Sequence, residues 1–224
     1  TCGKINHLGL KAAPAKSTLS YANAHRPAQL FENLFYQMLK VCQSQSFGRK
    51  KAFRFKNRLF SLDSTVFDLC LSLFPWAQFR QTKGAVKLHL LLDHDGYLPT
   101  FANITQGRVH DVKVAQMLTF PRGSIIACDR GYFDLALFDR WTSQGVFFVT
   151  RIKDNICYDV VERFEVPENS PVLYDHTIQL KNRKYPGKLR LVTVYDDIRQ
   201  CELEILTNNF ILSSATIAAI YKDR

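Results

Sequence analysis

Residues 59–69 read LFSLDSTVFDL, and the placing of Asp63 among them decides the fold. The stretch has the apolar, β-branched content of a buried strand. An ionised carboxylate is costly there unless it is paired, hydrogen-bonded or bound to a metal. Two readings are open. Either the strand ends in a turn and Asp63 bonds its own backbone, or the carboxylate is there for chemistry. A second stretch repeats the pattern. In SIIACDRGYF, residues 124–133, Asp129 ends an apolar run of Ile125, Ile126, Ala127 and Cys128, and Arg130, Gly131 and Tyr132 follow at once. In open sheets with parallel strands, sites gather at the carboxyl ends of the strands. Adjacent carboxylates raise each other's pKa unless a cation lies between them. Hard divalent ions such as Mg²⁺ take oxygen ligands of this kind, and paired ions about 4 Å apart are the usual machinery for cutting phosphodiester bonds.

Working outward, GAVKLHLLL (84–92) and YLPTFANIT (97–105) flank the turn chemistry of DHDG (93–96) and predict an antiparallel hairpin. HDVKVAQML (110–118) predicts a short helix, SIIACD (124–129) a buried strand, FDLALFDRWTSQG (133–145) a helix stopping at Gly145, and VFFVTRI (146–152) another strand. The first three strands can form an antiparallel meander. The later two alternate with helices and can run parallel to the first. Residues 157–207 then alternate apolar and polar through CYDVVERFEV, VLYDHTIQL, LRLVTVYDD and CELEILTN, as an antiparallel β insertion does. SSATIAAIYKDR (213–224) starts a helix capped by Ser213 or Ser214. The expected class is α/β, a mixed sheet flanked by helices with a β-rich insertion before the last helix.

The amino-terminal part has another texture. KSTLSYANAHR predicts a short helix from a cap at Ser17 or Thr18. Pro27 opens a longer one, in which Leu30, Phe31, Leu34, Phe35, Met38, Val41 and Cys42 form a stripe expected to pack. SQSFGRKK (44–51) reads as a linker.

The 224 residues carry a net charge of +10 and 46% hydrophobic content. No apolar run approaches the roughly 20 residues of a membrane helix, and no secretory signal opens the chain. The charge is uneven. Lys40, Arg49, Lys50, Lys51, Arg54, Lys56 and Arg58 form an acid-free block, Arg80, Lys83 and Lys87 a second, and Lys181, Arg183, Lys184, Lys188 and Arg190 a third. Solvated faces produce such blocks, and so do phosphate-binding surfaces; three in one chain favour phosphate contacts. The six cysteines are scattered without a CxxC pair, which argues against a zinc ribbon or a disulfide scaffold and for small core residues in a reducing cell. No GxSxG elbow and no phosphate-binding glycine loop is present, which argues against a serine hydrolase and against ATP use.

Four segments together carry a resemblance: SLDST at Asp63, KLHLLLDHDGYLP (87–99), ITQGRVHDVKVA (104–115) and ACDRGYFD (127–134). In order and spacing they resemble the DDE catalytic domain of bacterial insertion-sequence transposases, which has a ribonuclease H-like fold. The upstream STLSYANAHRP is similar to the segment preceding that domain. YKDR, Tyr221 to Arg224, resembles the start of the group's Tyr-(2)-Arg-(3)-Glu-(6)-Lys signature. The resemblance implies residues 1–50 as a helical remnant of a DNA-binding region, 51–155 with 208–224 as the ribonuclease H-like core, and 156–207 as the insertion. It makes Asp63 and Asp129 the catalytic, metal-binding carboxylates for Mg²⁺, with Mn²⁺ able to substitute. Tyr221 and Arg224 become signature residues, with Arg224 on a DNA phosphate.

The implied reaction is cleavage of one strand at the element's end, followed by attack of the freed 3′ hydroxyl on target DNA. The implied partners are double-stranded DNA at element ends and target, and a second copy in a synaptic dimer, with no membrane and no nucleotide cofactor, in a bacterial cytoplasm at the nucleoid. Further candidate DNA contacts are Arg130, Tyr132, Lys83, Lys87, Arg54 and Lys56. The signature's Glu falls after Arg224, so the chain is expected to lack the third carboxylate. An inactive DNA-binding or pairing fragment, a transposition inhibitor or a pseudogene product, is the alternative. A host nuclease would need a further carboxylate, and Asp111 and Asp134 are the nearby candidates. Of the rest, His110 is expected to cap a helix, His89 to sit in the core or at a sheet edge, and His94 to be solvated at a hairpin tip.

Overall fold

The computed structural model describes residues 9, 12–45, 53–69, 78–80, 83–166, 170–181 and 184–224, without the side chains of 78–80 and 83. The chain divides into two compact units, residues 1–46 and 47–224. The first holds α1 (Lys16–His25) and α2 (Gln29–Gln45). Neither Ser17 nor Thr18 caps α1. The N-cap position is Ala15, with no side-chain bond. The stripe of α2 is a second departure. Leu30, Phe31, Leu34, Met38 and Val41 are all exposed, and Leu39 is the buried residue of the helix. The amphipathic pattern is real; the described residues of this unit do not cover it. The linker read at 44–51 lies mostly outside the described residues.

The second unit is built on one ten-stranded sheet: β1 (Leu59–Leu69), β2 (Gln78–Arg80), β3 (Lys83–Asp93), β4 (Leu98–Gln106), β5 (Ile125–Cys128), β6 (Phe147–Arg151), β7 (Tyr158–Arg163), β8 (Val172–Leu180), β9 (Lys188–Asp196) and β10 (Cys201–Thr207). The order is β2-β3-β1-β5-β6-β10-β9-β8-β7, with β4 also paired to β3. Pairs β1–β3 and β3–β4 are antiparallel, whereas β1–β5 and β5–β6 are parallel. The meander and the crossovers are therefore as the residue pattern predicts. The late strands join the same sheet, because β10 pairs antiparallel with β6.

Each element has a local cause. All four residues of β5 are buried, as a parallel strand covered on both faces requires. Helix α3 (Asp111–Ala115) is shorter than expected, and α4 spans Leu135–Ser143. Asp134 Oδ1 accepts from the Leu137 N–H at 2.8 Å and starts α4; Gly145, at φ +72°, ends it. The inner face of α4 packs Phe138 flat on Phe148 of β6, with ring centroids 4.2 Å apart, and buries Trp141 completely. On the opposite side α5 (Ser214–Lys222) begins at Ser213, whose hydroxyl accepts from the Thr216 N–H at 3.3 Å. Its buried Ile217 and Ile220 are one turn apart. No helix among the described residues is long and apolar enough to cross a membrane.

Candidate active site

Register brings the two aspartates together. Leu62 and Cys128 are the last pair of the parallel β1–β5 ladder, so Asp63 and Asp129 are the next residue on each strand. Side chains alternate between faces along a strand. Leu59, Ser61 and Asp63 thus share a face with Ile125, Ala127 and Asp129. On that face Leu59, Ile125 and Ala127 pack with Ile217 and Ile220 of α5. Phe60, Leu62, Ile126 and Cys128 point the other way, into the cluster that holds Phe138 and Trp141. Residues 59–62 are buried, and exposure begins at Asp63, where β5 has ended and β1 continues. A carboxylate is tolerated inside this strand because at that residue the strand leaves the core.

The electrostatics match. Burial raises the Asp129 carboxyl above the ordinary carboxylate range; the Gly131 N–H and Arg224 oppose the rise, and Asp63 and Asp111 add to it. The Gly131 N–H donates to Asp129 Oδ1 at 2.9 Å. Asp63 is 60% exposed, and Arg224 Nη1 approaches its Oδ1 to 3.4 Å. The Arg224 guanidinium also stands 5.4 Å from the ring centroid of Tyr221, which packs partly buried beside α5's apolar contacts.

Behind the aspartates lies a polar group that the sequence did not assemble. Lys87 Nζ donates to Asp111 Oδ1 at 2.9 Å and to the Val109 carbonyl at 3.0 Å. His89 Nδ1 lies 3.6 Å from the same Asp111 oxygen and 3.4 Å from the Tyr132 hydroxyl, and its Nε2 is 3.0 Å from Thr105 Oγ1. Ser64 also bonds the Tyr132 hydroxyl, whose pKa burial pushes up. A Cβ on Gly131 would stand 2.7 Å from Asp111 Oδ2 and 3.0 Å from Asp129 Oδ1. Glycine is needed there because two carboxylates flank the turn. The available signal was parity: Lys87 and His89 are two residues apart on one strand and share a face.

Several expectations change. Tyr132 is fully buried, with its hydroxyl against Ser64 and His89. Lys87 is only 12% exposed, and its ammonium is held by Asp111. Arg130 pairs with Asp154 at 2.6 Å at the surface. Asp134 is the α4 cap. His110 occupies the α3 N-cap position without a side-chain capping bond. His94 is buried and not solvated: its Nε2 meets Ser61 Oγ at 2.6 Å and its Nδ1 meets Asp223 Oδ2 at 3.0 Å. Arg190, read as part of a basic surface block, is buried against Asp175, while Lys181 pairs with Asp159 at 3.0 Å. Of the cysteines, Cys128 is buried with its thiol pushed up to about 12 by burial, but Cys157 is exposed. Arg54 and Lys56 are exposed and alternate with stacked Phe53 and Phe55. The Lys83 side chain lies outside the described residues. Among the described residues no group of three His, Cys, Asp or Glu side chains is placed to hold a metal.

The chain is 29% identical over 211 residues to the "Probable transposase for insertion sequence element IS5377" of Geobacillus stearothermophilus, covering 93% of this chain and 55% of that protein. It is 29% identical over 219 residues to the "Putative transposase y4zB" of Sinorhizobium fredii, covering 95% and 60%. The chain thus spans little more than half the length of these relatives. Among solved structures, an endonuclease V of Ciona intestinalis in complex with a 23-mer DNA shares 12% identity over 87% of this chain and 88% of that one; its TM-score of 0.33 is too low to argue from. Residues 54–224 match the family described as "Transposase DDE domain", which holds both aspartates, and the chain belongs to that family.

Proposed function

We propose that the second unit is the core of a DNA strand-cleaving and strand-joining transposase, with Asp63 and Asp129 as its metal-holding carboxylates and a ribonuclease H-like sheet beneath them. One observation carries the reading: the two aspartates take the same next position on neighbouring parallel strands, on the face that α5 covers. The strand order β4-β3-β1-β5-β6, three antiparallel and two parallel to the first, supports the ribonuclease H-like assignment.

The residues present fit a hard divalent cation such as Mg²⁺ or Mn²⁺ as far as they go. Both donors are carboxylates, one well exposed and one raised chiefly by burial, with Asp63 and Asp111 adding to the rise. A bound ion would supply Lewis-acid stabilisation of the attacking and leaving oxygens. The chain's own groups orient the reactants. Arg224, beside Asp63, offers a fork suited to a phosphate oxygen pair. Asp111, fixed by Lys87, adds negative charge on the side of Asp129. Exposed Arg54 and Lys56 extend phosphate contact beyond the site. Binding carried by such contacts weakens steeply with salt.

The test is nicking of a plasmid bearing element ends, with Mg²⁺ or Mn²⁺. Nicking by the chain that Asp63→Asn and Asp129→Asn each abolish supports the reading. The absence of a three-ligand group among the described residues favours a second reading, in which this chain binds or pairs on DNA without cutting it. Salt-dependent DNA binding, without nicking at any metal concentration, would select that alternative.

A further inference from the structure

The turn between β3 and β4 is built in an unusual way. Tyr97 adopts φ +54°, in the left-handed region that a bulky residue rarely visits. Such strain persists where the surroundings over-determine it. Here the Tyr97 hydroxyl donates to Asp223 Oδ2 at 2.7 Å, and His94 Nδ1 meets the same oxygen at 3.0 Å. The imidazole lies beside the Tyr97 ring, with centroids 5.0 Å apart. Its Nε2 is 2.6 Å from Ser61 Oγ. Since Nδ1 faces a carboxylate it carries the proton, and Nε2 accepts from the serine hydroxyl. Asp93 and Arg58, paired at 2.5 Å, close the turn, and the Asp95 N–H donates to Asp93 Oδ1 at 2.9 Å. One polar chain therefore runs from Ser61 through His94 to Asp223.

Both ends of that chain touch the candidate site. Ser61 is two residues before Asp63 on the same face of β1. Asp223 directly precedes Arg224, whose guanidinium reaches Asp63. We propose that the 94–97 turn is a latch in which His94 and Tyr97 grip Asp223, fix the end of α5 and thereby set Arg224 against Asp63. His94, Tyr97 and Asp223 are positioning residues, since none of them touches the reacting groups. The latch rests on the functional reading above only for the importance of Arg224; its grip on α5 is separate. Burial holds the His94 pKa below 6.5 against the pull of Asp223 and Asp93, so the grip is made by a neutral ring.

The test is amide hydrogen exchange across the chain, with nitrogen NMR of the Arg224 side chain, in Tyr97→Phe, Asp223→Ala and Asp223→Asn. Tyr97→Phe removes one hydroxyl and leaves the core intact. Loss of one or both bonds to the carboxylate is expected to speed exchange in residues 217–222 by about tenfold or more, with β5 and β6 unchanged, and to mobilise the Arg224 guanidinium. Asp223→Asn, which keeps an acceptor oxygen, restores part of the protection. Unchanged α5 exchange and an unchanged Arg224 signal in both Tyr97→Phe and Asp223→Ala would overturn the latch. Nicking assays separate the two readings. Loosened α5 in a chain that never nicks DNA keeps the latch and removes the cleavage reading, whereas nicking that survives an unlatched α5 removes the latch's role at the site.

Discussion

Two carboxylate–guanidinium pairs in this molecule have the same chemistry and opposite construction. Asp175 and Arg190 join β8 to β9 in a buried fork, with Nε to Oδ1 at 2.8 Å and Nη2 to Oδ2 at 2.6 Å. Arg190 Nη1 goes on to the Leu212 carbonyl at 2.6 Å and the Asn209 carbonyl at 3.4 Å, just before α5 begins. Its donors are spent on the protein. Asp63 and Arg224 form one long contact, with the carboxylate largely open to water. A saturated pair fixes structure; an unsaturated pair keeps lone pairs and N–H groups for a ligand. The difference tells which charges to count as binding groups, a distinction composition cannot make.

The comparison breaks most sharply at the buried fork. Asp175→Ala leaves Arg190 charged and unpaired in the core, and is expected to cost about 3–5 kcal/mol in urea unfolding. A loss under 1 kcal/mol would show that the pair is not a staple. Next comes Arg190→Lys, which keeps the charge but replaces the fork and the bond to Leu212 by one ammonium. It should cost about 1.5–3 kcal/mol, by the same measurement.

The site side carries an acid-sensitive limb. His89 and His94 are both held below 6.5, chiefly by burial. The unfolded chain takes up these protons near 6.5 while the folded chain refuses them until lower pH. Stability is therefore lost as pH falls below 6.5 and is untouched by these groups above it. Urea midpoints across that range, with His94→Gln flattening part of the slope, check the sign.

Asp129→Asn should act oppositely to Asp175→Ala. The raised Asp129 carboxyl means that its ionised form burdens the fold, so the neutral amide should raise the thermal midpoint at neutral pH while removing a proposed metal donor. A lowered midpoint would place Asp129 with the structural carboxylates. The smallest effect is expected from Arg224→Ala, about 0–1 kcal/mol of stability for a partly exposed single contact, with a marked loss of DNA affinity at low salt.

Most of the strand and helix pattern was legible because hydrophobic period and turn residues fix it locally. GAVKLHLLL, SIIACD and the α4 helix all fall within a few residues of their predicted places. The neighbouring places of Asp63 and Asp129 were legible because an acid at the end of an apolar run is itself a signal. What stayed hidden depends on partners far along the chain. His94 looked solvated because hairpin tips usually are, and Asp223 lies 129 residues away. Arg190 looked like a surface cation because its neighbours in sequence are basic, while its acceptors come from β8 and the 209–212 loop. The α2 stripe read as a packing face, and periodicity cannot say whether the partner lies in the same unit.

The strand parity described for β1 also works as a reading frame for editing the gene. Adding one residue between Leu59 and Asp63 would shift the carboxylate by only about 3.3 Å along the strand. Yet it would turn that carboxylate through the sheet, into the aromatic layer of Phe138 and Trp141, while Asp129 stayed behind. Two added residues would restore the face but overshoot the neighbour. Length changes in residues 59–63 and 125–129 should therefore part the two aspartates, while the 197–200 turn, where no such frame is kept, should tolerate them.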